Sequence, residues 1–226
     1  MLAGALLLGA LAILVRVWLF ENPQHNPWAP LDLHDPPGWA MAGKLASLRG
    51  DANLCREALE RSEISHSVLA PAGERECLRS DRVRLDASSL APGNSPMTCP
   101  LAAALVRWQE FGLAPAADEE LGSPLARIEH LGISSCRRTS GSSSGNWSEH
   151  ATGNAVDVAA FVLEDGRRIS VLEDWNEDSS QSRFLKRARD SACEIFGTVL
   201  SPDYNAAHQD HLHLDQAKRG FGSYCR

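Results

Sequence analysis

Two short stretches hold most of the residues able to bind a metal or move a proton. The first, SEHATGNAVDVAAF from Ser148, places His150 and Asp157 seven residues apart with Gly153 between them. A loop histidine followed by an aspartate on the adjoining strand can converge on one cation, whereas zinc histidines on a rigid helix stand four residues apart. The second, HQDHLHLD from His208, packs three of the eight histidines into six positions: His208, His211 and His213. Residues two apart on a strand share a face, so His211, His213 and Asp215 point together while Leu212 and Leu214 turn to the core. A hydrogen-bonded His–Asp pair accounts for the first stretch alone, and a solvated strand for a single histidine of the second. Neither accounts for the crowding. One neutral imidazole from the second stretch, with His150 and Asp157, gives two nitrogens and one oxygen. That set leaves a fourth tetrahedral position open, as in a catalytic zinc site rather than a closed, sulfur-rich structural one.

Such residues need a turn and strands to hold them. Gly153 permits the sharp turn, and residues 155–163 form a β-branched, apolar run joined to a second run at 168–172 by Glu164-Asp165-Gly166, a hairpin signal. Weaker strands are expected at 126–134 and 198–200, and residues 211–214 alternate polar with apolar. An amphipathic helix is expected over 99–112, with Leu101, Ala104, Leu105, Trp108 and Phe111 at helical intervals, Thr98 as cap, Pro100 in the first turn and Gly112 as the stop. A second is expected over 182–196, where Phe184, Leu185, Ala188, Ala192, Ile195 and Phe196 share a face and Gly197 ends it. The expected class is α+β, a small and mainly antiparallel sheet flanked by helices. The Ser/Gly-rich residues 140–145 form a loop leading into the first motif.

The 226 residues suit one ordinary domain plus an anchor. An apolar fraction of 43% and a charged fraction of 23% exclude wholesale disorder and a polytopic membrane protein. The net charge of −7, with arginines scattered, argues against nucleic acid as a partner. Residues 1–20 are an apolar run, broken only by Arg16, long enough to cross roughly 30 Å of hydrocarbon. No Lys or Arg precedes the run and no small-x-small site follows it, which favours a retained single-pass anchor over a cleaved signal. Residues 21–38, rich in Pro and Asn, are expected to be an extended linker, with 39–98 as the N-terminal part of the domain. Six dispersed cysteines without Cys-x-x-Cys exclude a zinc ribbon and imply disulfides in an oxidising compartment; Cys193 with Cys225 would tie down the C-terminus. The expected location is the inner membrane, held through residues 2–20, with the domain in the periplasm. No segment identifies a protein partner.

The pattern Ser148-x-His150-x-x-Gly153-x-Ala155-x-Asp157, followed by His211-x-His213, resembles the zinc peptidases grouped with D-Ala-D-Ala carboxypeptidases, penicillin-insensitive murein endopeptidases and the hedgehog fold. Residues 99–226 look more closely like the extensin-like C-terminal domain of bacterial envelope proteins, through Cys99-Pro100-Leu101, Ser135-Cys136-Arg137, the first motif, PDYNAAH ending at His208, and DHLHLD. The resemblance implies a hedgehog/D-Ala-D-Ala-peptidase-like fold with His150, Asp157 and His213 as ligands of Zn2+, the second histidine of the HxH motif being the ligand. It implies a general base at Asp210, three positions before the last ligand, while strand geometry favours His211. Arg137, or its neighbour Arg138, would contact a substrate carboxylate or a developing oxyanion. Ser148, His208 and Asp215 are expected beside the ligands or the substrate. The implied activity is hydrolysis of peptidoglycan stem peptides or cross-links by metal-activated water. Because a fold does not fix a function, the competing reading is a non-catalytic, zinc-containing module that binds wall peptides or a protein partner.

Overall fold

The computed structural model describes residues 2–93, 95–139, 144–219 and 222–226, so most of the loop expected at 140–145 lies outside the described residues. The chain begins with helix α1 (Leu2–Glu21). Within it, Gly4–Glu21 has a mean hydropathy of 1.9 and none of it is buried against the rest of the chain, so it is long and apolar enough to cross a membrane.

Two short helices follow, α2 (Met41–Leu48) and α3 (Ala52–Arg61). The Asp51 carboxylate caps α3 by accepting from the N–H groups of Asn53 and Leu54. Strands β1 (His66–Val68) and β2 (Val83–Leu85) form an antiparallel pair, and β3 (Leu90–Ala91) opens the main sheet. Helix α4 (Cys99–Trp108) starts where expected, but Thr98 does not cap it: its hydroxyl donates to Asn154, and Asp81 accepts the Cys99 N–H. Gly112 does not stop it either. The chain continues through a π turn, Gln109–Leu113, into α5 (Ala114–Leu121). The wider turn accommodates Pro115, which has no N–H to give. Gly112 serves packing instead, since a Cβ there would lie 2.5 Å from Ser191 Oγ.

The remaining elements are β4 (Leu125–Gly132), β5 (Ala155–Leu163), β6 (Arg168–Ser170), α6 (Val171–Asp174), α7 (Ser180–Cys193), β7 (Thr198–Leu200), β8 (Leu212–Asp215) and β9 (Tyr224–Cys225). The strand expected over 168–172 ends at Ser170, whose hydroxyl caps α6. The main sheet runs β3-β4-β5-β8-β7-β9, with β6 beside the far half of β5. Its pairings are antiparallel except β3–β4 and β7–β9, so the fold is mixed α+β with parallel edges. Strand β5 is central: β4 runs along one edge, while β8 and β6 divide the other. Val156, Val158, Leu212 and Leu214 are fully buried in one cluster with residues of α4 and α7. Each such side chain contributes about 1.5–3 kcal/mol through burial.

Residues 21–38 lack long elements, as a linker would, yet Leu31 and Leu33 belong to the same core. The Leu33 N–H donates to Ser62 Oγ at 2.7 Å, and the buried Arg107 guanidinium donates to the carbonyls of Leu33 and Asp35. The six cysteines, all among the described residues, pair as Cys55–Cys99, Cys77–Cys136 and Cys193–Cys225.

Candidate metal centre

Strand register brings the two motifs together. Asp157 on β5 stands directly opposite His213 on β8, and Ala155 opposite Asp215. Opposed residues project on the same side of a sheet at Cβ separations of about 5 Å, so Asp157, His213 and Asp215 share the face turned away from the apolar core. His150 reaches them from the 3-10 turn Glu149–Thr152, which leads straight into β5. Ser148 Oγ accepts the His150 N–H at 3.3 Å, and Gly153 closes the turn at φ 73, a left-handed conformation that side chains resist.

The three side chains meet at one point. His150 Nε2 lies 3.1 Å from Asp157 Oδ1 and 3.2 Å from His213 Nδ1, and His213 Nδ1 lies 2.8 Å from Asp157 Oδ1. The outer ring nitrogens decide the tautomers. His150 Nδ1 faces the Ile133 carbonyl at 3.0 Å, and His213 Nε2 faces Asp215 Oδ2 at 3.1 Å. A carbonyl and a carboxylate only accept, so those nitrogens carry the protons and Nε2 of His150 and Nδ1 of His213 present lone pairs. Two nitrogen lone pairs and a carboxylate oxygen thus converge, an arrangement that repels itself unless a cation sits among them. His150, Asp157 and His213 are the group able to hold a metal ion among the described residues.

The electrostatics point the same way. Burial disfavours the Asp157 carboxylate, but the His150 and His213 rings beside it outweigh that when a proton is shared among them, and hold its pKa well below the usual range. Burial likewise disfavours protonated His213, yet Asp157 and Asp215 raise it to about 9. Without metal, a proton therefore takes the place that a cation would occupy.

The centre lies in a cleft of about 920 Å³ lined by Arg137, Glu149, His208 and His211, among others. His211 Nε2 is 3.6 Å from Asp157 Oδ1, and its Nδ1 is 2.8 Å from Asp210 Oδ1. The two base candidates are thus arranged in series, with Asp210 behind His211. His208 packs against His211 and His213 with ring centroids 5.2 and 6.0 Å away; burial, then its histidine neighbours, lower its pKa to about 4. Its Nδ1 lies 2.8 Å from Asn205 Oδ1. Arg137 faces the cleft, whereas Arg138 stacks on Trp147, its guanidinium 4.4 Å from the ring centroid. Asp215 orients His213 and also accepts the Ala217 N–H. Sequence reasoning missed Glu149, which borders the cleft and accepts from Asn154 Nδ2 at 2.5 Å; burial raises its pKa against that bond. Its position next to His150 was the available signal. The Ile133 carbonyl left none, because backbone contacts have no residue signature.

A family model described as Extensin-like protein C-terminus matches residues 53–226. No curated protein and no solved structure matches the chain. The family match takes in both motifs and every cysteine, and it begins well before residue 99, where the motif resemblance starts. The chain therefore belongs to the extensin-like protein C-terminus family.

Proposed function

We propose that the protein is a zinc-dependent peptidase of the cell envelope, acting on peptidoglycan stem peptides or cross-links from a domain anchored in the inner membrane and facing the periplasm. The observation that carries the reading is the convergence of His150 Nε2, Asp157 Oδ1 and His213 Nδ1, with both outer nitrogens engaged by Ile133 O and Asp215. The ligand atoms stand 2.8–3.2 Å apart, close to the separation of about 3.3 Å that tetrahedral ligands at about 2.0–2.1 Å from zinc require. The His213–Asp215 contact is the carboxylate–histidine support common at zinc sites. We assign the hedgehog/D-Ala-D-Ala-peptidase-like arrangement on the same motifs. The periplasmic location is supported by α1 and three disulfides.

A bound zinc ion supplies Lewis acidity and lowers the pKa of water toward about 7. The chain's own residues do the rest. His211, held through Nδ1 by Asp210, presents Nε2 to the cleft as the group that takes a proton from the attacking water and returns it to the leaving amine. Arg137 offers a fork of donors to a substrate carboxylate or to the developing oxyanion. The test is to digest purified sacculi with the wild type and with His150→Ala, identify released muropeptides by mass spectrometry, and measure zinc by elemental analysis. New muropeptides from the wild type alone, with zinc lost in the variant, are expected. Stoichiometric zinc without released muropeptides would replace the peptidase reading with the binding-module one, and absence of zinc would end both.

A further inference from the structure

Helix α1 does not run into free chain. Asn22 Nδ2 donates to the Trp18 carbonyl across its last turn at 2.9 Å. The 3-10 turn Pro23–His25 then folds the chain back, so that the His25 ring stacks on Trp18 at 5.3 Å and on Trp39 at 6.1 Å between centroids. Backbone joins the same knot: the Ala40 N–H donates to Gln24 O at 3.3 Å, and Lys44 Nζ donates to Pro23 O at 2.6 Å. A Cβ at Gly38 would lie 2.4 Å from Gln24 O, so the two strands of chain cross as closely as backbone allows. The domain is clamped to the end of α1 rather than tethered to it.

Around this clamp large aromatic rings stand open. Trp28 is 82% exposed and Trp39 65%, and on the last turns of α1 Phe20 is 84% and Trp18 47% exposed. Single exposed apolar residues need no explanation, but a group contiguous with an apolar helix does. Indole, with an apolar body and one N–H, favours the headgroup layer of a bilayer over either water or hydrocarbon. We infer that Trp28 and Trp39 lie in the headgroup layer of the membrane that α1 crosses, so that the folded domain rests on the bilayer in a fixed orientation. From Trp39, α2 leads to Arg49, whose Nε donates to Gln216 Oε1 at 2.6 Å, next to Asp215. Eight residues of helix, about 12 Å, separate the clamp from Arg49, which lines the cleft, so the cleft serves substrates held close to the membrane surface. This inference rests on the anchor reading of α1, and on neither zinc nor peptidase activity.

The test uses the full chain in phosphatidylcholine vesicles with brominated acyl chains, which quench only tryptophans that reach the lipid. Trp28→Phe and Trp39→Phe keep an apolar ring and remove the emission; Trp18→Phe is the reference, and the buried Trp108 and Trp175 supply unquenched emission that reports folding. Each of the first two variants is expected to lose that residue's share of the lipid-quenched signal. If only Trp18→Phe lowers the quenching, the anchor stands and the docking is overturned. If no lipid quenching occurs and intact mass shows residues 1–20 removed, the anchor reading itself falls and takes the docking with it.

Discussion

The two walls of the cleft are built differently. The ligand wall is sheet: Asp157 and His213 are fixed by the β5–β8 register, and each histidine has its outer nitrogen engaged by a buried acceptor. The adjoining wall is loop and short turn: His208 leans on Asn205, His211 on an Asp210 side chain that is 49% exposed, and Arg137 precedes the Ser/Gly-rich segment. Groups set by register are rigid and groups on loops can move. Under the proposed function, the difference would assign metal retention to the first wall and proton transfer and substrate contact to the second.

That division can be broken by substitution. Asp157→Ala leaves two histidines facing one another without their oxygen partner; zinc affinity is expected to fall by more than about 100-fold, beyond the usual cost of losing a supporting contact, as measured by elemental analysis after dialysis. His211→Ala is expected to keep stoichiometric zinc and lower the rate of muropeptide release by about 10²–10⁴-fold. Zinc lost from that variant would move His211 into the ligand wall and erase the distinction. Asp215→Asn keeps the ring contact but removes its charge, and chelator competition should show zinc held about 10–100-fold more weakly.

The smallest effect is on stability after metal removal. His213 binds a proton more tightly in the folded chain than in the unfolded one, so without metal its contribution is complete below about pH 6.5 and is lost as pH rises through about 9. The melting temperature of chelated protein should therefore fall across that window. Zinc bound at the same nitrogen would displace that proton, so the loaded protein should show no such fall; equal pH profiles for the two forms would mean that His213 Nδ1 does not face the metal.

The ligand wall was legible in the sequence because its signals are residue types at period two and a glycine at a left-handed turn. His211, His213 and Asp215 could be placed on one face and Asp157 on the strand after His150 from residue types alone; the register that sets Asp157 opposite His213 came from the fold. The Cys193–Cys225 pair was also expected and is found, while the pairing of the other four cysteines left no trace in spacing. Elsewhere local signals misled. Gly112 resembles a helix stop because glycine often is one, yet here its missing side chain makes room for Ser191, a contact set by a helix nearly 80 residues on. Leu31 and Leu33 sit among prolines without periodicity, and their burial depends on Ser62 and on Arg107, whose guanidinium binds their segment's carbonyls. Such contacts are decided by tertiary packing, which no window of neighbouring residues contains.

His213 stands 63 residues beyond His150 and enters through β8, next to last of the strands. A chain still emerging, or cut before residue 212, carries His150 and Asp157 without the third member of the cluster. The cluster is therefore complete only once β8 has paired with β5 and set His213 opposite Asp157. Under the function proposed above, a chain whose β8 had not yet docked would hold no complete centre and would stay inert until that pairing formed.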